Sequence, residues 1–176
     1  HTGAIFVREP KKRLLSAYLD KGVSNPGLVQ QKCCKYTRTC SDVAKASLSN
    51  FLDMMQTCED AHWRPQNRRM EAKYWPYINF VGRMETVADD AKRLLTSVGA
   101  WDQFGKSGWG QDGNVSIFGT KAGETGRLHA TNAQDRLRLY YNTSELERNV
   151  DFYYAYDYAN PVLNFTKQNL FHTLQY

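Results

Sequence analysis

Ala4, Ile5, Phe6 and Val7 form an unbroken apolar run of good β-formers, which predicts a short buried strand. Arg8 and Glu9 end the run. Pro10 then suits the first turn of a helix, where a missing N–H costs nothing. From Lys11 the period becomes helical: Leu14, Leu15 and Tyr18 share one side, and Gly22 is a natural stop. Gly22, Asn25, Pro26 and Gly27 break structure, so residues 22–40 read as an irregular connector. Ser41 is placed to cap a helix running to about Thr57, with Ala44, Leu48, Phe51, Leu52 and Met55 as its apolar face. Pro65 excludes a regular helix over residues 59–69. Tyr77, Ile78, Phe80 and Val81 predict a second buried strand, ending at Gly82. Thr86 and Asp89 resemble a capping box for a helix that continues through Ala91, Leu94, Leu95 and Val98 to Gly99.

Strand followed by helix, twice, predicts an α/β fold with a parallel sheet flanked by helices. Residues 100–134 contain Gly105, Gly108, Gly110, Gly113, Gly119, Gly123 and Gly126 without a sustained period, the pattern of either a long functional loop or a partly disordered stretch. Beyond it, Ser144 with Glu147 predicts a second capping box. Leu146, Val150, Tyr153, Tyr154 and Tyr158 predict an aromatic helix ending before Pro161. No internal repeat breaks the chain, and its 176 residues are expected to form a single domain.

With 41% hydrophobic and 13% aromatic residues, the composition is that of a folded globular protein. A net charge of +5 favours an anionic partner, such as a nucleotide, an acidic glycan, nucleic acid or a membrane surface. Lys and Arg do not cluster with interleaved stacking aromatics, so nucleic acid is not expected as a partner. No apolar run is long enough to span a bilayer. Four cysteines, Cys33, Cys34, Cys40 and Cys58, lack the CxxC spacing of a zinc site. Adjacent cysteines rarely bridge each other, so Cys33 and Cys34 should each pair with Cys40 or Cys58, unless all four are free thiols in a reducing compartment. Sequons at Asn114, Asn142 and Asn164 agree with the secretory alternative.

A strand feeding a turn and then a helix aims backbone N–H groups and a positive dipole end at one point, which is the geometry of an anion site. Arg8 at the strand end and Ser16 two turns into the helix are the candidates to face a phosphate there. The string FVREPKKRLLSAYLDKG closely resembles the 3′-phosphate motif of sulfotransferases that use 3′-phosphoadenosine-5′-phosphosulfate (PAPS). The resemblance implies that Arg8 and Ser16 hold the 3′-phosphate. Three further segments, AHWRPQ, YINFVGRMETVADDAKRLLTSVGA and VDFYYAYDYANPVLNF, resemble the Golgi carbohydrate sulfotransferases of the chondroitin 4-O- and HNK-1 type. Two departures stand out: RRMEAKYWPY replaces the family's Cys-x-x-Cys pair, and Asn79 replaces an acidic residue.

The resemblance implies a P-loop-like sulfotransferase fold, incomplete at its N-terminus because the 5′-phosphosulfate loop would lie upstream of His1. It also implies a glycan acceptor, no metal at the reaction centre, and a Golgi lumenal location. Membrane anchoring would come through a segment outside this chain, as in a single-pass type II protein. GRLHATNAQ resembles a region that closes over the nucleotide, which marks Arg127 and Thr131 as phosphate clamps or, alternatively, as parts of a solvated loop. Sulfuryl transfer needs a base near the acceptor hydroxyl, and His62 is the candidate, with packing in a rigid loop as its alternative. Beside it, Trp63 could stack on a sugar, Arg64 could pair with a uronate or sulfate, and Gln66 could hydrogen-bond the acceptor. A non-catalytic nucleotide- or glycan-binding module is the competing function.

Overall fold

A computed structural model describes residues 1–36, 38–105 and 131–171. The fold is mixed α/β, mostly helical with a small parallel sheet. It divides into two compact units: His1–Arg8 with Met70–Ala130, and Glu9–Arg69 with Thr131–Tyr176.

The first unit holds the sheet. Strand β1 (Gly3–Val7) pairs in parallel with β2 (Ile78–Arg83) where strands are expected, but the expectation that they are buried is corrected, since only Val7 and Gly82 are buried in them. The second strand begins one residue later than expected, because Tyr77 belongs to a 3₁₀ turn, Ala72–Tyr77, and it runs through Gly82 to Arg83. Gly82 is needed there: a Cβ at that position would meet the Phe6 ring at 2.4 Å. The capping box expected after β2 is corrected. Thr86 makes no side-chain cap, and its hydroxyl instead donates to Asp90 Oδ2 at 2.9 Å, which also accepts Arg83 N–H at 2.6 Å. The buried acid of that turn is Asp90, not Asp89.

The second unit is helical. In chain order its helices are α1 (Pro10–Ala17), α2 (Gly27–Lys32), α3 (Arg38–Ala46), α4 (Leu48–Thr57), α6 (Ala133–Tyr140), α7 (Ser144–Tyr153) and α8 (Ala155–Ala159); α5 (Val87–Ser97) lies in the sheet unit. Gly22 does not stop α1, which continues as a π-helical turn over Tyr18–Ser24. Residues 22–40 are more regular than their Gly and Pro content suggested, since α2 and the start of α3 occupy them. The helix expected from Ser41 to Thr57 is broken at Ser47, which is extended (φ −155°) and accepts Asn50 N–H at 3.1 Å. Ser41 lies inside α3. Likewise α7 is capped by Thr143, whose hydroxyl accepts Leu146 N–H at 3.2 Å. A side-chain oxygen competes with the helical carbonyl wherever the backbone turns extended, and the apolar period alone does not show where that happens.

The core of this unit joins Leu14, Leu15 and Leu19 to Phe51, Leu52, Trp63, Leu137, Val150 and Tyr154. Phe51 packs edge-on against both Tyr18 (5.5 Å between centroids) and Trp63 (5.3 Å). Two disulfides, Cys33–Cys58 and Cys34–Cys40, resolve the open pairing.

Lys11 is fully buried inside this apolar setting. Its ammonium meets Glu147 at 2.7 Å and Asp151 at 3.1 Å and also donates to the Gln168 carbonyl. Glu147 accepts the Leu170 and Phe171 N–H groups as well, so the expected capping acid instead ties α7 to α1 and to the C-terminal strap. Burial pushes the Glu147 carboxyl up, but these donors prevail and hold it below the ordinary glutamate value.

Lys11→Met should cost about 3–5 kcal/mol in urea unfolding, because it strands two carboxylates, while Lys11→Met with Glu147→Gln should recover part of the loss. The disulfides differ in loop length, 25 against 6 residues of separation. Loop entropy therefore predicts that removing Cys33–Cys58 destabilises by about 1 kcal/mol more than removing Cys34–Cys40, measured by denaturant melts of the two double serine variants.

Candidate functional site

Glu9 decides what the start of α1 can do. Its carboxylate accepts Lys12 N–H at 2.9 Å and the Tyr158 hydroxyl at 2.9 Å, so the chain's own acid caps the helix. Glu9 therefore takes one of the N–H groups that the sequence offers to a phosphate, that of Lys12, and sets a negative charge at the positive end of the helix. Ser16 remains available further along α1. Its Oγ lies 3.0 Å from Thr131 Oγ1, bringing together two candidates that stand 115 residues apart. Asn132 follows in the left-handed region (φ 46°), which asparagine tolerates, and α6 starts directly after it. Two partly buried hydroxyls side by side can both donate to one phosphate or sulfate oxygen. Arg8 belongs to the sheet unit and is half-buried there. Arg127 lies outside the described residues.

Residues 59–69 form no α-helix, as Pro65 dictates; after Pro65 a short 3₁₀ helix, Gln66–Arg69, closes the loop, which is fastened at many points. Arg13 donates to the Arg64 carbonyl at 2.7 Å and to the Ala61 carbonyl at 2.8 Å. Tyr154 donates its hydroxyl to the Trp63 carbonyl at 2.7 Å. Asp157, fully buried, accepts the Gln66 and Asn67 N–H groups at 2.8 Å each. Burial pushes the Asp157 carboxyl above its ordinary value despite those amides and the nearby Arg13.

These contacts correct two expectations. Trp63 is 0% exposed and donates Nε1–H to the Cys58 carbonyl at 2.8 Å, so its ring has no open face for a sugar and is part of the core. Gln66 is buried against Asp157, so its amide serves the loop and not an acceptor. Arg64 is partly exposed, with Nε 3.8 Å from Glu59.

The His62 side chain is 44% exposed. Its Nδ1 lies 2.5 Å from Asp60 Oδ1, and its backbone N–H donates to the same oxygen at 3.0 Å. Asp60 Oδ2 takes Lys32 Nζ at 2.5 Å. Burial alone would raise the Asp60 carboxyl, but Lys32 and the two His62 donors together hold it at about 2. Sequence reading missed Asp60, Lys32, Arg13 and Asp157. Asp60 carried a local signal, an acid two residues before His62 in a turn; the others act across the fold and carried none. Among the described residues no group of three or more His, Cys, Asp or Glu side chains could hold a metal ion, and no helix is long and apolar enough to cross a membrane.

The family model described as the sulfotransferase family matches residues 1–160. Comparison with curated proteins and with solved structures finds no match.

Because the folded Asp60 carboxyl titrates below its unfolded value, its stabilisation is complete above about pH 4 and is lost as pH falls toward 2. Lys32 is 59% exposed, so solvent screening limits the effect to about 1–2 kcal/mol. The stability gap between the protein and Asp60→Asn, measured by urea melts, should close by that amount between pH 5 and pH 2.

Proposed function

The chain belongs to the sulfotransferase family, and on that premise we propose that it transfers a sulfuryl group from PAPS to a hydroxyl of a glycan. The family match over nearly the whole chain carries this reading. In the reaction the acceptor oxygen attacks sulfur and forms a new O–S bond. The bond from sulfur to the 5′-phosphate oxygen breaks, and the hydroxyl proton passes to a base. His62 is proposed as that base: it is partly exposed on a loop that is otherwise tied down, and a fixed base gains rate from orientation. The Ser16–Thr131 hydroxyl pair is proposed to bind the 3′-phosphate, donating to its oxygens. Arg8 keeps the phosphate-binding role that the resemblance implies, and Arg64 remains the candidate for an anionic group on the acceptor.

The proposed setting is the Golgi lumen. Two disulfides support an oxidising compartment, and Asn142 and Asn164 are exposed as glycosylation requires.

Full-length protein supplied with labelled PAPS should sulfate at least one member of a panel of desulfated glycans. Ser16→Ala and Arg8→Ala, tested separately by calorimetry, should each weaken nucleotide binding about ten- to a hundredfold. Tight PAPS binding with no transfer to any acceptor would instead make the protein a binding module. Unchanged nucleotide affinity in both variants would remove the 3′-phosphate assignment.

A further inference from the structure

Asp60 is built into the loop before it meets the imidazole. Its carbonyl accepts Trp63 N–H at 3.2 Å and Arg64 N–H at 2.8 Å, and its Oδ1 accepts His62 N–H at 3.0 Å, so residues 60–64 form a turn around it. Its side chain is 1% exposed, against 44% for His62: a buried carboxylate lies behind a solvent-facing imidazole. The second carboxylate oxygen is taken by Lys32 at 2.5 Å. Cys33 and Cys58, which are bridged, adjoin Lys32 and the Glu59–Asp60 pair, so a covalent link frames the ion pair from both sides.

We infer that Asp60 is a positioning residue for His62, holding the proton on Nδ1 so that Nε2 presents its lone pair to the acceptor hydroxyl, with Lys32 fixing the carboxylate. The inference rests on the reading of His62 as the base. An ionised carboxylate can only accept, so at 2.5 Å the neutral imidazole must carry its proton on Nδ1. That tautomer leaves Nε2 as the sole ring atom able to take a proton. Once it has done so, the imidazolium lies against the Asp60 carboxylate. Lys32 occupies Oδ2 and keeps the carboxylate from turning.

The tautomer is read directly by nitrogen-15 NMR of His62 in the full-length protein. The expected result is Nδ1–H in the native protein and loss of that preference in Asp60→Asn, whose amide can donate to Nδ1. Steady-state kinetics should show kcat reduced about a hundredfold or more in Asp60→Asn, with KM for PAPS and for the acceptor little changed. Lys32→Met should show a smaller kcat loss of the same kind. An Nε2–H tautomer in the native protein overturns the inference, even where a variant fails to fold. Full kcat in Asp60→Asn beside an inactive His62→Ala also overturns it, and leaves His62 as base. Full activity in both variants removes the His62 reading and the inference together.

Discussion

Two cations buried on one eight-residue helix organise the helical unit. Lys11 is 0% and Arg13 9% exposed, and neither can enter the interior without partners that replace water. Lys11 gathers α7 and the strap near residue 168 through Glu147, Asp151 and the Gln168 carbonyl. Arg13 gathers the 61–64 loop through two backbone carbonyls. The Tyr141 hydroxyl closes on the Lys11 carbonyl at 2.8 Å, so the end of α6 is drawn to the same helix. Apolar packing of Leu14 and Leu15 supplies non-directional attraction; the two cations supply the directions.

That arrangement accounts for the loop that carries His62. A short irregular segment ordinarily has little to hold it, yet this one has Arg13, Tyr154 and Asp157 on its backbone and Trp63 driven into the core. The Asp60 and Gln66 side chains and the Ala61, Trp63 and Arg64 carbonyls serve to fix its shape. His62 is left half-exposed on a turn that Asp60 closes. Rigid backbone beneath one accessible titratable ring is an arrangement suited to proton transfer, because the cost of orientation is met in folding.

At the start of α1 the Glu9 carboxylate lies at the positive dipole end and takes the Lys12 N–H, while the Ser16 and Thr131 hydroxyls meet further along the helix. Hydroxyls can rotate to donate to whichever oxygen arrives, whereas a capped amide cannot.

Local pattern in the chain determined the strands and the helix that follows the first. Ala4–Val7 and the apolar residues Ile78, Phe80 and Val81 are good β-formers and form the strands, though only Val7 and Gly82 of the two are buried, and Pro10 can open a helix but not continue one. Pro65 likewise made residues 59–69 a loop, and the motif around Arg8 and Ser16 pointed to the sulfotransferase family that residues 1–160 match. Helix breaks at Ser47 and Tyr154 were invisible because the apolar period runs on through both. Trp63 looked like a stacking ring because an aromatic beside a histidine in a polar loop carries no mark of its burial; the disulfide-linked frame and Phe51 put it inside. Nothing near Lys11 in the sequence marks its burial, because its partners Glu147 and Asp151 are more than 130 residues away. Only tertiary folding sets such distances, since a charge is stabilised by what surrounds it in space and not by its neighbours in sequence.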